Sequence, residues 1–215
     1  MTVCPMALEL PRYYPILSTD KPGLSLIEAA GTMLECGVGI LQIRHKGPYT
    51  RAIYEQAAAV AELCKQSGVR LIINDRADIA AMLEAGVHVG QDDLPPDAIR
   101  RAFGPDMFLG FSTHNPAQIL AVTGEPDYIA LGPIFATGSK ENPDPVVGLE
   151  NLKAWRPLWH GPLVAIGGIT RANAPDVIAA GADSVAVIGD AMPAEATPAA
   201  LRKRTREWIE LLKWA

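Results

Sequence analysis

Several short stretches of this 215-residue chain carry chemistry by residue type and spacing. In "LQIRHK", Gln42, Arg44 and Lys46 alternate, so the period of two of a strand points all three the same way. Two cations and an amide converging there suit a phosphate-rich anion; the other reading is a solvated strand end. In "LIINDRADIA", four apolar residues run into Asn74, Asp75 and Arg76, and "GQDDLPP" adds Asp92 and Asp93. Carboxylates from neighbouring strand ends can share a Mg²⁺, an ion that keeps several waters and is completed by substrate phosphate oxygens. Alternatively one aspartate of the second pair, Asp92 before Asp93, caps a helix beginning near Pro95. Arg76 suits a phosphate or a partner acid equally well.

Further along, "GPIFATGSKENPDPVVG" (Gly132 to Gly148) sets hydroxyls at Thr137 and Ser139 and a cation at Lys140 between glycines. It is too polar for a core and too long for a simple turn, so it reads as a lid over a site or as a plain surface loop. "AIGGIT" and "AVIGDAM" bring Gly167, Gly168, Ile188 and Gly189. Paired glycines let backbone N–H groups approach an anion closely, and tight packing is their alternative use. Two anion sites are expected, one served by side chains and a metal, the other by backbone. Two phosphorylated substrates follow.

Strands must bring these groups together. Eight strand-like segments recur, each followed by a helix-like one: "YYPILST", "GILQIRHK", "RLIIND", "GVHVG", "MFLGFST", "DYIALGPIF", "LVAIGGI" and "SVAVIGD". Between two of them, Thr50 to Gly68 is Ala-rich with helical apolar spacing and a glycine stop. Such alternation predicts a single-domain α/β chain, a closed (β/α)₈ TIM barrel whose site lies at the C-terminal ends of the strands. An open doubly wound sheet is the runner-up, but no G-x-G-x-x-G follows the first strand. The chemistry-bearing motifs span about residues 12–192. A last helix, about 197–214, places Leu201, Trp208 and Leu212 on one face for packing on the barrel.

Bulk properties bound the partners. With 49% hydrophobic residues the chain can bury a sizeable core. A net charge of −5 argues against a general nucleic-acid binder. Cys4, Cys36 and Cys64 form no close pair and no metal-type spacing, and no stretch reads as a signal peptide or a membrane span. A cytoplasmic protein acting on small molecules is expected, with a homodimer among the assemblies the sequence allows.

The motifs "LQIRHK", "IINDRADIA", "VHVGQDD", "GFSTH", "DYIALGPIFATGSK" and "AIGGITRANAPDVIAAGADSVAVI", taken in order, resemble those of the thiamine phosphate synthase family. That resemblance implies a (β/α)₈ transferase. It implies Mg²⁺-dependent joining of an aminopyrimidine methyl diphosphate to a thiazole phosphate, with or without a carboxylate on the thiazole, and release of diphosphate. Carried over by position, Gln42, Arg44, Lys46, Asn74, Ser112 and Lys140 contact the pyrimidine diphosphate, and Asp75 and Asp93 bind Mg²⁺. Arg44, Lys46 and Lys140 assist the leaving group. Thr137, Ser139, Gly168, Ile188 and Gly189 hold the thiazole phosphate. Departures from the family pattern are Ser139 for threonine, Gly189 for serine, Asp92 for glutamate, and His45 where an acid is frequent. Two alternatives stand beside this reading. One is a related barrel that only isomerises the thiazole phosphate, with His114 transferring the proton; the other is a phosphate-ligand binder without catalysis. His88, inside a strand, and His160, in a loop, read as structural.

Overall fold

A computed structural model describes residues 9–20, 23–138 and 144–213. The strands are β1 (Tyr13–Ser18), β2 (Ile40–Arg44), β3 (Arg70–Asn74), β4 (Gly86–Val89), β5 (Leu109–Thr113), β6 (Tyr128–Leu131), β7 (Leu163–Ile166) and β8 (Ser184–Val187). They pair in parallel in chain order, and β8 returns to β1 to close a barrel. The connecting helices are α1 (Leu26–Leu34), α2 (Arg51–Ser67), α3 (Ala77–Met82), α4 (Pro96–Phe103), α5 (Pro116–Leu120), α6 (Gly148–Trp155) and α7 (Ala174–Ala179), with α8 (Pro198–Leu212) last. All eight strands anticipated from the sequence form.

Successive side chains of a strand point to opposite faces, so each strand serves two apolar sets at once. Tyr14, Ile16, Ile40, Ile72, Tyr128, Ala130, Val164 and Ala186 fill the barrel. Their neighbours Tyr13, Leu17, Leu41, Ile43, Ile73, Val87, Ile129, Leu163 and Val185 pack outward against the helices. Sheets buried on both faces need such near-continuous apolar runs, which is why a polar residue at an inward position matters.

The Ala-rich segment forms α2 as expected. Thr50 caps its start by accepting the Ile53 N–H, and Gly68 ends it at φ +66°, a conformation open to glycine. Helix α8 buries Leu201, Thr205, Trp208 and Leu212. Trp208 stacks on Tyr13 with ring centroids 5.1 Å apart and donates its indole N–H to the Asp190 carbonyl at 3.1 Å. The expected end of this helix at 214 falls outside the described residues.

The segment expected to be a lid starts differently from its sequence reading. Gly132, Pro133 and Ile134 are buried, and the Ile134 and Phe135 N–H groups bond to the Ile166 and Gly167 carbonyls at 2.9 and 3.0 Å. Val147 and Gly148 return to the Pro133 and Ile134 carbonyls at 2.8 and 3.1 Å. The first residues of the loop therefore extend the barrel wall. Among the described residues, no helix is long and apolar enough to cross a membrane.

Candidate active site at the barrel mouth

Strand β2 ends with Gln42 3% exposed and the Arg44 side chain 13% exposed, so this is no solvated strand end. Arg44 donates to Ser18 Oγ at 3.0 Å and lies 3.5 Å from Asp20 Oδ2. Lys46 sits beyond the strand, and its Nζ reaches Asp75 Oδ2 at 2.6 Å. The three are thus at different depths: Gln42 in the barrel floor, Arg44 at the wall and Lys46 over the mouth.

The polar end of β3 is a sharp turn. Asp75 has φ +64°, where a non-glycine residue is strained by roughly 1 kcal/mol or more, aspartate least among the charged residues. Its N–H bonds to the His88 carbonyl at 2.8 Å, and the next N–H, of Arg76, turns back to the Asn74 carbonyl at 2.8 Å. The carboxylate is thereby turned toward Lys46 and toward Asp93. Arg76 resolves to the acid-paired reading: its Nε and Nη2 hold Asp78 at 2.8 and 2.5 Å.

After β4, Asp93 Oδ2 accepts the Gly90 N–H at 2.7 Å. Burial, and after it the neighbouring Asp75 carboxylate, push the Asp93 carboxyl up, while the Gly90 N–H and Lys46 pull it down. The capping reading of Asp92 is corrected: α4 is preceded by Pro95 with no side-chain cap, and Asp92 is exposed. Two opposed carboxylates with one lysine fit a divalent cation. Among the described residues no group of three or more His, Cys, Asp or Glu side chains gathers as a complete cage. That set suits Mg²⁺, which takes one or two carboxylates plus water and phosphate oxygens, better than a metal wanting four protein ligands.

Beneath the carboxylates lies a polar floor that sequence reasoning missed. Register aligns Asn74 with His88, His88 with Gly110 and Gly110 with Tyr128 in one row of the barrel. His88 is 8% exposed, and its ring nitrogens lie 2.9 Å from the Tyr128 hydroxyl and 2.8 Å from Ser112 Oγ. Burial lowers its pKa to about 4, so it is neutral at physiological pH. It is thus a hydrogen-bonded structural residue of the barrel interior, in keeping with its reading from the sequence. Asn74 is 7% exposed, and its Nδ2 has no hydrogen-bond partner among the described residues, an open donor next to Asp75 in the chain and level with His88 across the strands. Gly110 makes the row possible: a Cβ there would lie 2.1 Å from Tyr128 Cζ and 2.5 Å from His88 Nδ1. The available signal was an inward period of two combining Tyr14, His88 and Tyr128 with a glycine between them.

Across the mouth, the glycine pair after β7 serves close packing. Gly167 and Gly168 have φ +99° and +64°, and Cβ atoms there would meet Pro133 Cβ at 2.5 Å and the Ala136 carbonyl at 2.6 Å. Both positions thus require glycine for close packing, which brings the backbone of Gly168 near the half-buried Thr137 loop. Ile188 is half-buried. Gly189 is exposed, and a Cβ there would meet nothing within 4 Å, so a serine would fit. Asp190 ties both loops to α8: it accepts from Arg171 Nε at 3.1 Å and Arg204 Nη1 at 2.9 Å, and Arg171 also pairs with Glu207. Ser139 and Lys140 lie outside the described residues. His114 donates to the Gly132 carbonyl at 2.6 Å and lies 3.5 Å from Asp144, both in the β6 loop. His160 is exposed.

A profile of the family described as "Thiamine monophosphate synthase" matches residues 13–191. A thiamine-phosphate synthase of Koribacter versatilis is 49% identical over 212 residues, covering 95% of this chain and 97% of that protein. One of Chloroflexus aurantiacus is 43% identical over 189 residues, covering 87% and 86%. The solved thiamine phosphate pyrophosphorylase from Pyrococcus furiosus is similar with a TM-score of 0.82 at 30% identity, covering 95% of this chain and 96% of that one.

Proposed function

The chain belongs to the thiamine monophosphate synthase family of transferases, and we propose on that premise that it joins an aminopyrimidine methyl diphosphate to a thiazole phosphate, giving thiamine phosphate and diphosphate. The observation that carries this reading is the Lys46–Asp75–Asp93 cluster, flanked by Arg44 and the open amide of Asn74, at one side of the barrel mouth. Asp75 and Asp93 would hold Mg²⁺, which when bound supplies charge neutralisation for the departing diphosphate.

Arg44 and Lys46, with Lys140 by resemblance, bind the diphosphate and stabilise the charge that builds on it as the C–O bond breaks. Ser112 and Asn74 orient the same anion by donating hydrogen bonds. Departure leaves a pyrimidine methyl cation, delocalised by the aminopyrimidine ring. The thiazole nitrogen attacks it, held nearby through its phosphate by Thr137, Ser139, Gly168, Ile188 and Gly189. No protein nucleophile is required. The location we infer is cytoplasmic, and a homodimer is the assembly to test by light scattering.

The deciding experiment mixes the protein with both substrates and Mg²⁺ and measures diphosphate and thiamine phosphate. Formation of both supports the reading. Binding without release of diphosphate overturns it in favour of a non-catalytic binder, and isomerisation of the thiazole phosphate alone would favour the tautomerase. Lys140→Ala and Asp93→Ala should each depress turnover far more than stability, with excess Mg²⁺ partly rescuing only the aspartate variant.

A further inference from the structure

Five polar side chains inside the barrel touch end to end. Gln42 Nε2 is 2.8 Å from the Tyr14 hydroxyl, which is 3.0 Å from the Tyr128 hydroxyl. That oxygen is 2.9 Å from His88 Nδ1, and His88 Nε2 is 2.8 Å from Ser112 Oγ. Gln42, Tyr14, Tyr128 and His88 are each more than nine-tenths buried, so bulk water does not compete for their protons.

Counting those protons gives the chain a direction. The Gln42 amide is placed with Nε2, not Oε1, toward Tyr14; with that orientation, which sets the direction of every later bond, the Tyr14 oxygen accepts from Gln42 and the Tyr14 proton goes on to Tyr128. Tyr128 in turn gives its proton to His88 Nδ1. A neutral imidazole has one N–H, which then resides on Nε2 and points at Ser112. The Ser112 oxygen accepts that bond, and its own proton is left for whatever occupies the mouth. Run the other way, Ser112 would spend its proton on His88 and turn only lone pairs toward the ligand, which repels a phosphate oxygen.

We propose that this hydrogen-bond chain runs one way, from Gln42 to Ser112, and that His88 is a positioning residue which holds the Ser112 hydroxyl as a donor to an acceptor-only oxygen group. The identity of that group as the leaving diphosphate rests on the function proposed above. The direction of the chain does not. Gln42 thus acts through the barrel interior on a hydroxyl at the far end of the row, and Gly110 keeps the space in which the two middle members meet.

The test uses the whole protein labelled with nitrogen-15 at histidine. Long-range proton–nitrogen correlation spectra separate the Nε2–H from the Nδ1–H tautomer, and the signals missing from His88→Gln identify His88. The substrate-free protein is expected to show the Nε2–H form at neutral pH; the Nδ1–H form or an imidazolium overturns the proposal. Inorganic pyrophosphate with Mg²⁺ then probes the consequence. His88→Gln, whose amide can still donate to Ser112, should keep its Kd within about threefold, whereas His88→Met, with no proton to give, should weaken it about tenfold. Equal affinity of the two variants contradicts the positioning role. If His88→Met does not fold, Tyr128→Phe serves instead: it removes the donor to Nδ1, so a mixture of tautomers and a several-fold weaker Kd are expected, and an unchanged spectrum and Kd overturn the proposal. A protein with the Nε2–H form that makes no thiamine phosphate would sink the proposed activity alone, and an active one with the Nδ1–H form would sink this inference alone.

Discussion

Asparagine at position 93 keeps the side-chain shape and an oxygen for the Gly90 N–H, and removes the charge. In the native protein, burial and then Asp75 raise the Asp93 carboxyl above its ordinary value. A carboxyl raised on folding weakens the folded state once pH exceeds its folded pKa, and the effect vanishes below the unfolded pKa. Without metal, Asp93→Asn should therefore stabilise the protein at pH values above the folded pKa. The half-buried setting limits the gain to about 1 kcal/mol, a rise in Tm of roughly 2–4 °C for a chain of this size. Ligand binding has the opposite sign. Mg²⁺ with pyrophosphate at about 100 times Kd adds about 2.7 kcal/mol to the native protein. Loss of one of two carboxylates, weakening that binding about a hundredfold, leaves the variant about 0.4 kcal/mol. The melting order should therefore invert: variant above native protein in EDTA, below it with Mg²⁺ and pyrophosphate, and turnover about 10²-fold lower. Scanning calorimetry under both conditions reads this directly. A variant that melts no higher in EDTA and gains as much from the ligand pair would refute the assignment of Asp93 as a crowded carboxylate awaiting a cation.

Gly110→Ala should lower stability by about 2–3 kcal/mol in urea unfolding, because the new methyl overlaps the buried Tyr128 ring and His88; a near-neutral result would mean the two do not meet there. Asp190→Ala leaves Arg171 and Arg204 without their shared carboxylate. A loss of about 2 kcal/mol is expected, with KM rising for the thiazole phosphate and not for the pyrimidine diphosphate; equal rises would count against a local role in the β7 and β8 loops. His88, depressed from 6.5 to about 4 by burial, contributes stability that is fully present above pH 6.5 and lost as pH falls toward 4. In the metal-free protein this loss is on the order of 3 kcal/mol, and His88→Gln should flatten that part of the acid limb of the stability curve.

Arg44 and Asp75 could be placed near the barrel mouth from the sequence because each closes an apolar run, and a run of that kind in an alternating β–α chain can end only at one face of the molecule. The barrel, its eight strands and the packing face of α8 were legible for the same reason: hydrophobic periodicity is local, and burial on both faces of a strand leaves a mark on every residue of it. His88, Tyr14 and Tyr128 left only their inward period of two. Each is an ordinary inward residue by its own neighbours, and they become one network only through register, which sets Asn74, His88, Gly110 and Tyr128 in a row. The glycines after β7 show the same limit, since their need for close approach is set by Pro133 and Ala136 on another strand's loop. Sequence determined which residues could face inward and where the polar ends fall; the closed sheet alone decided which of them touch, because contacts across strands depend on a register that no local pattern encodes.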